Sequence, residues 1–119
     1  MSSSERSKKE LREAYKQIKP RGGVYQIRNL DSGKIYVAAA PDFKAAWNGA
    51  QFQLRNGLHT NAALQADWAN AGADHFVFEE LTEYKRDADS QTDARYELRQ
   101  LEQLFIADLQ PFGEKGYHS

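Results

Sequence analysis

This chain contains no cysteine, which excludes disulfides, thiolate zinc sites and cysteine nucleophiles. It has no apolar run near the roughly 20 residues that a transmembrane helix needs, and its first residues do not have the pattern of a signal peptide. It also has little net charge, a formal −1, which by itself favours no class of partner. We therefore expect a cytoplasmic protein with no membrane partner.

The length of 119 residues suits one domain with a single modest core. The hydrophobic fraction of 40% and the charged fraction of 28% are typical of a soluble globular chain. We expect a disordered arm at residues 1–6 and one domain at residues 7–119, with its core at 22–112.

The charges are distributed unevenly along the chain. Residues 1–28 carry eight Lys and Arg residues against three Glu residues, a balance of +5, whereas residues 74–102 carry nine acidic groups against four basic ones, a balance of −5. The basic segment predicts contact with a nucleic-acid backbone, and the alternative is a solvated helix face that keeps the protein soluble. The candidate DNA-binding residues are Lys8, Lys9, Arg12 and Lys16.

A β-hairpin is predicted in the first third of the chain. Two β-rich runs, Gly23–Arg28 and Lys34–Ala39, flank the turn signal Asp31-Ser32-Gly33.

Two tyrosines, Tyr25 and Tyr36, lie near the middle of the predicted strands. Because side chains alternate along a strand, the rings share a face if Tyr25 lies opposite Tyr36 or Ala38, and do not if it lies opposite Val37. Without further information, both are also typical amphipathic strand residues, with the ring in the core and the hydroxyl at the surface.

Helical periodicity predicts four helices, with a third strand before the last one. The order α-β-β-α-α-β-α predicts an α/β (α+β) fold, a three-stranded and at least partly antiparallel sheet with helices packed on its faces. The third strand has apolar residues on both faces, so we expect it to be the central strand. The predicted helices are Lys8–Gln17, Phe43–Asn56, a helix from the cap Asn61 to Gly72, and Asp93–Leu109, and the third strand is His75–Leu81.

Without the help of a known family, the sequence contains few residues that suggest a catalytic or metal-binding site. The three histidines, His59, His75 and His118, lie far apart without the spacing of a zinc motif, and we interpret each as structural or solvated. There is no phosphate-binding loop after a strand and no nucleophile elbow. Glu102 borders the apolar stripe of the last helix, where a carboxylate could hold a hard cation such as Mg²⁺; the alternative is a solvated glutamate.

Two tryptophans also have two interpretations. Trp47 and Trp68 could stack on the bases of single-stranded nucleic acid. Their i, i+4 spacing with Phe43 and Leu64 favours packing in the core instead.

The pattern Gly23-Val24-Tyr25, ten residues, then Tyr36-Val37-Ala38 resembles the signature of the GIY-YIG nuclease family. The last helix, from Leu101 to Ile106, is similar to the E-x-x-[YF]-I pattern in which those nucleases place their metal-binding glutamate. The resemblance covers about residues 22–118 and includes small stand-alone members. The matches between these two motifs are Leu54-Arg55-Asn56-Gly57, His59, Asn61, Leu64-Gln65, Trp68, Gly72 and Phe76-Val77-Phe78-Glu79.

This resemblance implies hydrolysis of DNA phosphodiester bonds with Mg²⁺ or Mn²⁺. In the family the tyrosines help to activate and position a water, an arginine stabilises the phosphate, a histidine or tyrosine assists proton transfer, and a glutamate binds one divalent ion. The resemblance assigns these roles to Tyr25, Tyr36 and the metal ligand Glu102, and implies DNA as the partner.

Some positions depart from the family pattern. The family's arginine and histidine lie four residues apart on the helix after the hairpin, where this chain has Ala46 and Ala50. The last glycine of the signature is Ala38, and His118 follows Gly-Tyr where many members have an asparagine. Losing one positioned charge costs about 10²–10³ in rate, and losing an acid–base group about 10²–10⁴. The resemblance therefore implies a nuclease impaired at least roughly a thousandfold.

Three functions stay open on this basis. The first is a degenerate GIY-YIG domain whose surviving role is DNA or partner binding. The second is a working Mg²⁺-dependent DNA endonuclease with unrecognised replacements, although helical geometry puts Lys44 and Arg55 in unsuitable places for that role. The third is a protein-interaction module without nucleic-acid contact.

Overall fold

The computed structural model describes residues 20–85 and 91–119. The predicted helix Lys8–Gln17, the arm at residues 1–6 and part of the loop after the third strand lie outside these residues. No helix in the described part is long and apolar enough to cross a membrane. The elements are β1 (Gly23–Asn29), β2 (Ile35–Ala40), α1 (Phe43–Arg55), α2 (Ala62–Ala71), β3 (Phe76–Glu83) and α3 (Ala94–Leu109).

The three strands form one antiparallel sheet in the order β2-β1-β3. The predicted fold class is therefore confirmed, but the prediction that the third strand is central is wrong. The hairpin turn places β2 on one side of β1, and β3 hydrogen-bonds to the other side, so β1 is the central strand. Helices lie on both faces of the sheet, so apolar residues on both faces of a strand do not distinguish an edge strand from a central one.

The hairpin register places both tyrosines on the same face. Tyr25 lies opposite Ala38, and Ile27 lies opposite Tyr36. Because faces alternate, Val24 and Val37 lie on the other face, where both are buried and where α3 lies against β1 and β2.

The main core lies on the tyrosine face of the sheet, under α1 and α2. It is a cluster of nine buried residues: Tyr25, Ile27, Phe43, Ala50, Leu54, Leu64, Trp68, Phe76 and Tyr117.

The helices begin and end at residues that the sequence indicates. Asp42, Asn61 and Asp93 cap α1, α2 and α3 through side-chain oxygens that accept backbone N–H groups at 3.1, 3.0 and 2.8 Å. Gly57 follows α1 with φ 70°, and Gly72 ends α2 with φ 93°.

Gly23, the first residue of the signature, allows β1 and β3 to approach closely. Its φ is 154°, and a Cβ atom there would lie 2.0 Å from the backbone oxygen of Thr82. Only glycine fits this position without moving a strand.

The chain after α3 returns to the hairpin and closes the free edge of β2. Tyr117 N donates to Ile35 O at 3.0 Å, beside a parallel bridge between Ile35 and Gly116. The buried Asn29 donates from Nδ2 to the Tyr117 hydroxyl at 3.1 Å. This segment thus positions the next residue, His118, beside β2.

Candidate active site

The structure brings the three predicted site residues, Tyr25, Tyr36 and Glu102, close together. The tyrosines share a face of the sheet, and Glu102 reaches from α3 to the free edge of β2. There its Oε2 accepts the N–H of Ala39 at 2.8 Å. Burial is the main cause of the raised pKa of both tyrosines, and the carboxylate of Glu102 is near enough to add to it. The arrangement is compatible with the roles that the family resemblance implies, which stay predictions.

Two histidines flank Tyr36, an arrangement that sequence reasoning missed. The ring of His118 stacks on Tyr36 with centroids 5.2 Å apart and an interplanar angle of 3°. The ring of His59 meets Tyr36 edge-on, also at 5.2 Å, with an angle of 83°. His75 lies elsewhere and pairs with Asp31 at 2.8 Å. The available signals were the match at His59 and the histidine at a family asparagine position.

Backbone hydrogen bonds fix the tautomers of these two histidines. Val37 N donates to Nε2 of His118 at 2.9 Å, which assigns the ring proton to Nδ1. Asn61 N donates to Nδ1 of His59 at 3.0 Å, which assigns the proton to Nε2. Burial lowers the pKa of both rings, so both are neutral at pH 7. The acceptor nitrogen of each ring is thus already used by the backbone, and the other nitrogen carries an N–H that can donate a hydrogen bond.

Glu102 and His118 also hold the sheet edge. The N–H groups of Val37 and Ala39 point away from β1, and each donates to one of these side chains. An unpaired edge of this kind is otherwise exposed to other strands, so both residues have a structural role in addition to any chemical one.

The tyrosine hydroxyls stay protonated at neutral pH. Burial, followed by the charges of Tyr36 and Glu102, raises the pKa of Tyr25. Burial and then Glu102 raise the pKa of Tyr36, although a hydrogen bond with Thr60 acts in the opposite direction. A nearby cation would favour the phenolate. Without one, these hydroxyls are suited to donate hydrogen bonds and to orient a water rather than to act as bases.

The part of α1 that faces the tyrosines carries no charge at the two family positions. Ala50 is 6% exposed and belongs to the same core cluster as Tyr25. Ala46, one turn earlier, packs against that cluster. Arg55 is exposed at the last residue of α1, and Lys44 is exposed near its first.

Glu102 could serve as the one protein carboxylate of a Mg²⁺ site. Within residues 20–85 and 91–119, no group of three His, Asp or Glu side chains could hold a metal. Mg²⁺ keeps several waters and binds through one or two carboxylates plus substrate phosphates. One oxygen of Glu102 accepts a hydrogen bond from Ala39 N, which orients the carboxylate and leaves the other oxygen for such an ion.

Comparisons with known proteins find related endonucleases. No protein-family model matches the chain. Intron-associated endonuclease 1 of Enterobacteria phage T4 is 35% identical over 52 residues, which are 44% of this chain and 21% of that protein, so the chain spans about a fifth of its relative's length.

Two solved structures resemble this one. The catalytic domain of the homing endonuclease I-TevI has a TM-score of 0.65 and 29% identity, with 81% of this chain and 95% of that chain covered. A variant of the I-TevI catalytic domain with one glutamate replaced by alanine has a TM-score of 0.69 and 26% identity, with 82% and 92% covered. These neighbours confirm the fold and the resemblance stated from the sequence.

Proposed function

We propose that this chain, which has the fold of the GIY-YIG nucleases, is an endonuclease-like domain that binds DNA and hydrolyses it poorly. One observation carries the second half of this proposal. At Ala46 and Ala50 the helix facing Tyr25 packs methyl groups into the core, where the family pattern has an arginine and a histidine.

The chemistry explains why that loss matters. In phosphodiester hydrolysis, negative charge grows on the phosphate oxygens, and fixed cations beside them lower the barrier. When bound, a divalent ion at Glu102 would supply one such charge. Tyr25 and Tyr36 can still donate hydrogen bonds and orient a water. The second positive charge is absent, and removing one such group typically costs about 10²–10³ in rate.

DNA binding rests on two supports. The similar proteins are endonucleases, and one is named as a homing endonuclease. The basic segment before the domain core also carries Lys8, Lys9, Arg12 and Lys16, which would meet a phosphate backbone. These four residues lie outside the described part of the chain.

A second candidate function is an active Mg²⁺-dependent endonuclease, and the two histidines beside Tyr36 favour it. The free ring nitrogen of His59 or His118 carries a proton and could donate a hydrogen bond to a phosphate oxygen, in part replacing the family histidine. Neither imidazole replaces the fixed positive charge of an arginine, and we therefore place impaired hydrolysis first.

DNA binding is tested by gel retention at several salt concentrations. We expect the unmodified chain to retain DNA at low salt and to release it as salt rises. Replacing Lys8, Lys9, Arg12 and Lys16 by Glu should weaken retention and reduce its salt dependence. The matched control replaces Arg95 and Arg99 of α3 by Glu and should matter less. Unchanged retention in the fourfold variant would remove the basic segment from the proposal, and no retention by any form would support the protein-interaction alternative.

Hydrolysis is tested with plasmid and branched DNA in Mg²⁺ or Mn²⁺, beside a Glu102→Ala variant. We expect slow cleavage or none. Rapid cleavage that disappears in the Glu102→Ala chain would overturn impairment and establish the second candidate.

A further inference from the structure

A pocket of about 410 Å³ opens between the first turn of α1 and strand β3. This volume lies within the range of ordinary ligand sites, about 300–1,000 Å³. Its apolar walls are Phe43, Trp47 and Phe78, and two cationic side chains, Arg21 and Lys44, lie at its rim.

The aromatic walls connect this pocket to the candidate active site. Phe78 lies 5.4 Å from Trp47 and 6.1 Å from Phe43, measured between ring centroids. Phe78 also stacks on Tyr25 at 4.7 Å with an angle of 26°. One wall of the pocket is therefore in direct contact with a candidate site residue.

The two tryptophans differ in exposure. Trp68 is 5% exposed in the core, as predicted. Trp47 also packs against the core cluster, as predicted, but it is only partly buried and contributes to the pocket wall. The base-stacking interpretation therefore fits Trp47 and not Trp68.

One cation at the rim makes no ion pair within the part of the chain that the structure describes. Asp42 lines the pocket but caps α1, accepting from Ala45 N. Glu80 pairs with Arg21 at 2.8 Å. Lys44 is exposed and makes no ion pair with residues 20–85 or 91–119. An aromatic wall with a free cation at its rim matches a nucleotide, whose base stacks and whose phosphate is anionic.

We propose that this pocket is a base-stacking subsite, in which one unstacked nucleobase of a bound nucleic acid lies against Trp47 and Phe78 with its phosphate near Lys44. The inference rests on the proposed function and specifies its substrate. A base inside an intact duplex cannot reach the pocket, so the subsite selects single-stranded or locally opened DNA.

The test uses tryptophan fluorescence of the full chain during titration with a single-stranded oligonucleotide. In a Trp68→Phe chain only Trp47 emits, and we expect saturating DNA to quench its emission by about half or more, since stacking on a base quenches indole. In the matched Trp47→Phe chain only the buried Trp68 emits, and its emission should stay nearly constant. Circular dichroism establishes that both chains are folded.

Anisotropy of a fluorescently labelled oligonucleotide measures binding independently. We expect Trp47→Ala to weaken binding about tenfold and Trp47→Phe, which keeps a ring, to weaken it much less. Lys44→Glu should also weaken binding, and duplex of the same sequence should bind less well. Binding with no quenching of Trp47 and no effect of Trp47→Ala would overturn the subsite while leaving DNA binding intact. Absence of any binding would overturn both proposals.

Discussion

Two walls face the signature tyrosines, and they differ in chemistry. The edge wall consists of His59, His118 and Glu102 and is polar, titratable and hydrogen-bonded to the backbone. The α1 wall consists of Ala46 and Ala50 and is apolar and packed against the core.

The difference shows that the polar groups of the edge wall also stabilise the fold, whereas a charge in the α1 wall would not. His118 and Glu102 satisfy the outward N–H groups of Val37 and Ala39, so removing either leaves a backbone donor without its partner. A charged group at Ala50 would instead cost free energy to bury and would stabilise nothing in the free domain. The presence of the edge wall therefore does not by itself indicate catalysis, and the α1 wall is the more informative of the two.

The largest expected effect comes from returning a charge to the α1 wall. Ala46 is partly exposed, so Ala46→Arg can direct its guanidinium toward the tyrosines without filling the core. We expect plasmid cleavage with Mg²⁺ to rise about 10²–10³-fold.

The matched control is Ala46→Gln, which adds a long neutral side chain and should leave cleavage unchanged. Equal rates in the Arg, Gln and unmodified chains, all folded by circular dichroism, would show that the missing charge at this position is not what limits hydrolysis.

On the edge wall, two variants of Glu102 distinguish its structural role from its chemical role. Glu102→Ala leaves Ala39 N–H without its acceptor and should lower the free energy of unfolding by about 1–2 kcal/mol, whereas Glu102→Gln keeps an oxygen there and should cost less. In the Ala46→Arg background, both should reduce cleavage at least roughly 100-fold because the charge is lost. Urea unfolding and cleavage rates measure the two effects, and full cleavage by the Gln variant would contradict the metal role.

The edge wall should also make stability depend on pH. Burial lowers the pKa of His59 and His118 in the folded chain below the ordinary value near 6.5. As pH falls through about 6.5, the unfolded chain binds protons first, so the free energy of unfolding decreases; above that pH the stabilisation is complete. Urea unfolding at pH 7.5 and 5.5 measures this slope. The double variant His59→Gln/His118→Gln should flatten it, and an unchanged slope would exclude these two groups as its source.

The smallest effect concerns the exposed side of α1. A Cβ atom at Gly49 would meet nothing within 4 Å, and the residue lies inside a helix. Gly49→Ala should therefore raise the free energy of unfolding by about 0.5–1 kcal/mol without altering the pH slope or cleavage. A change in cleavage would mean that the walls respond to helix stability as well as to their own side chains.

Local signals predicted the elements of this fold well. The cap Asn61 lies where the sequence places it, the bounds of α1 and α3 agree with the prediction within one residue, and the hairpin strands do so as well. These features depend on neighbouring residues, whose turn and capping preferences are readable from the sequence.

Contacts between distant parts of the chain could not be predicted as well from the sequence. The placement of β3 at an edge depends on which strand takes the free side of β1, and hydrophobicity alone did not determine it. The meeting of His118 with Tyr36 depends on the chain after α3 returning to the hairpin, across 81 residues between Val37 and His118.

The sequence by itself shows the hairpin signature, the alanines of α1 and the glutamate of the last helix. These features were enough to predict the fold and to lead us to expect impaired hydrolysis. Only the tertiary structure decided that Tyr25 lies opposite Ala38, so that both rings share a face. It also decided that two distant histidines flank Tyr36 and that Trp47, unlike Trp68, borders a pocket. The physical reason is that register and long-range packing depend on every element at once, whereas caps, turns and motifs depend on a few neighbouring residues.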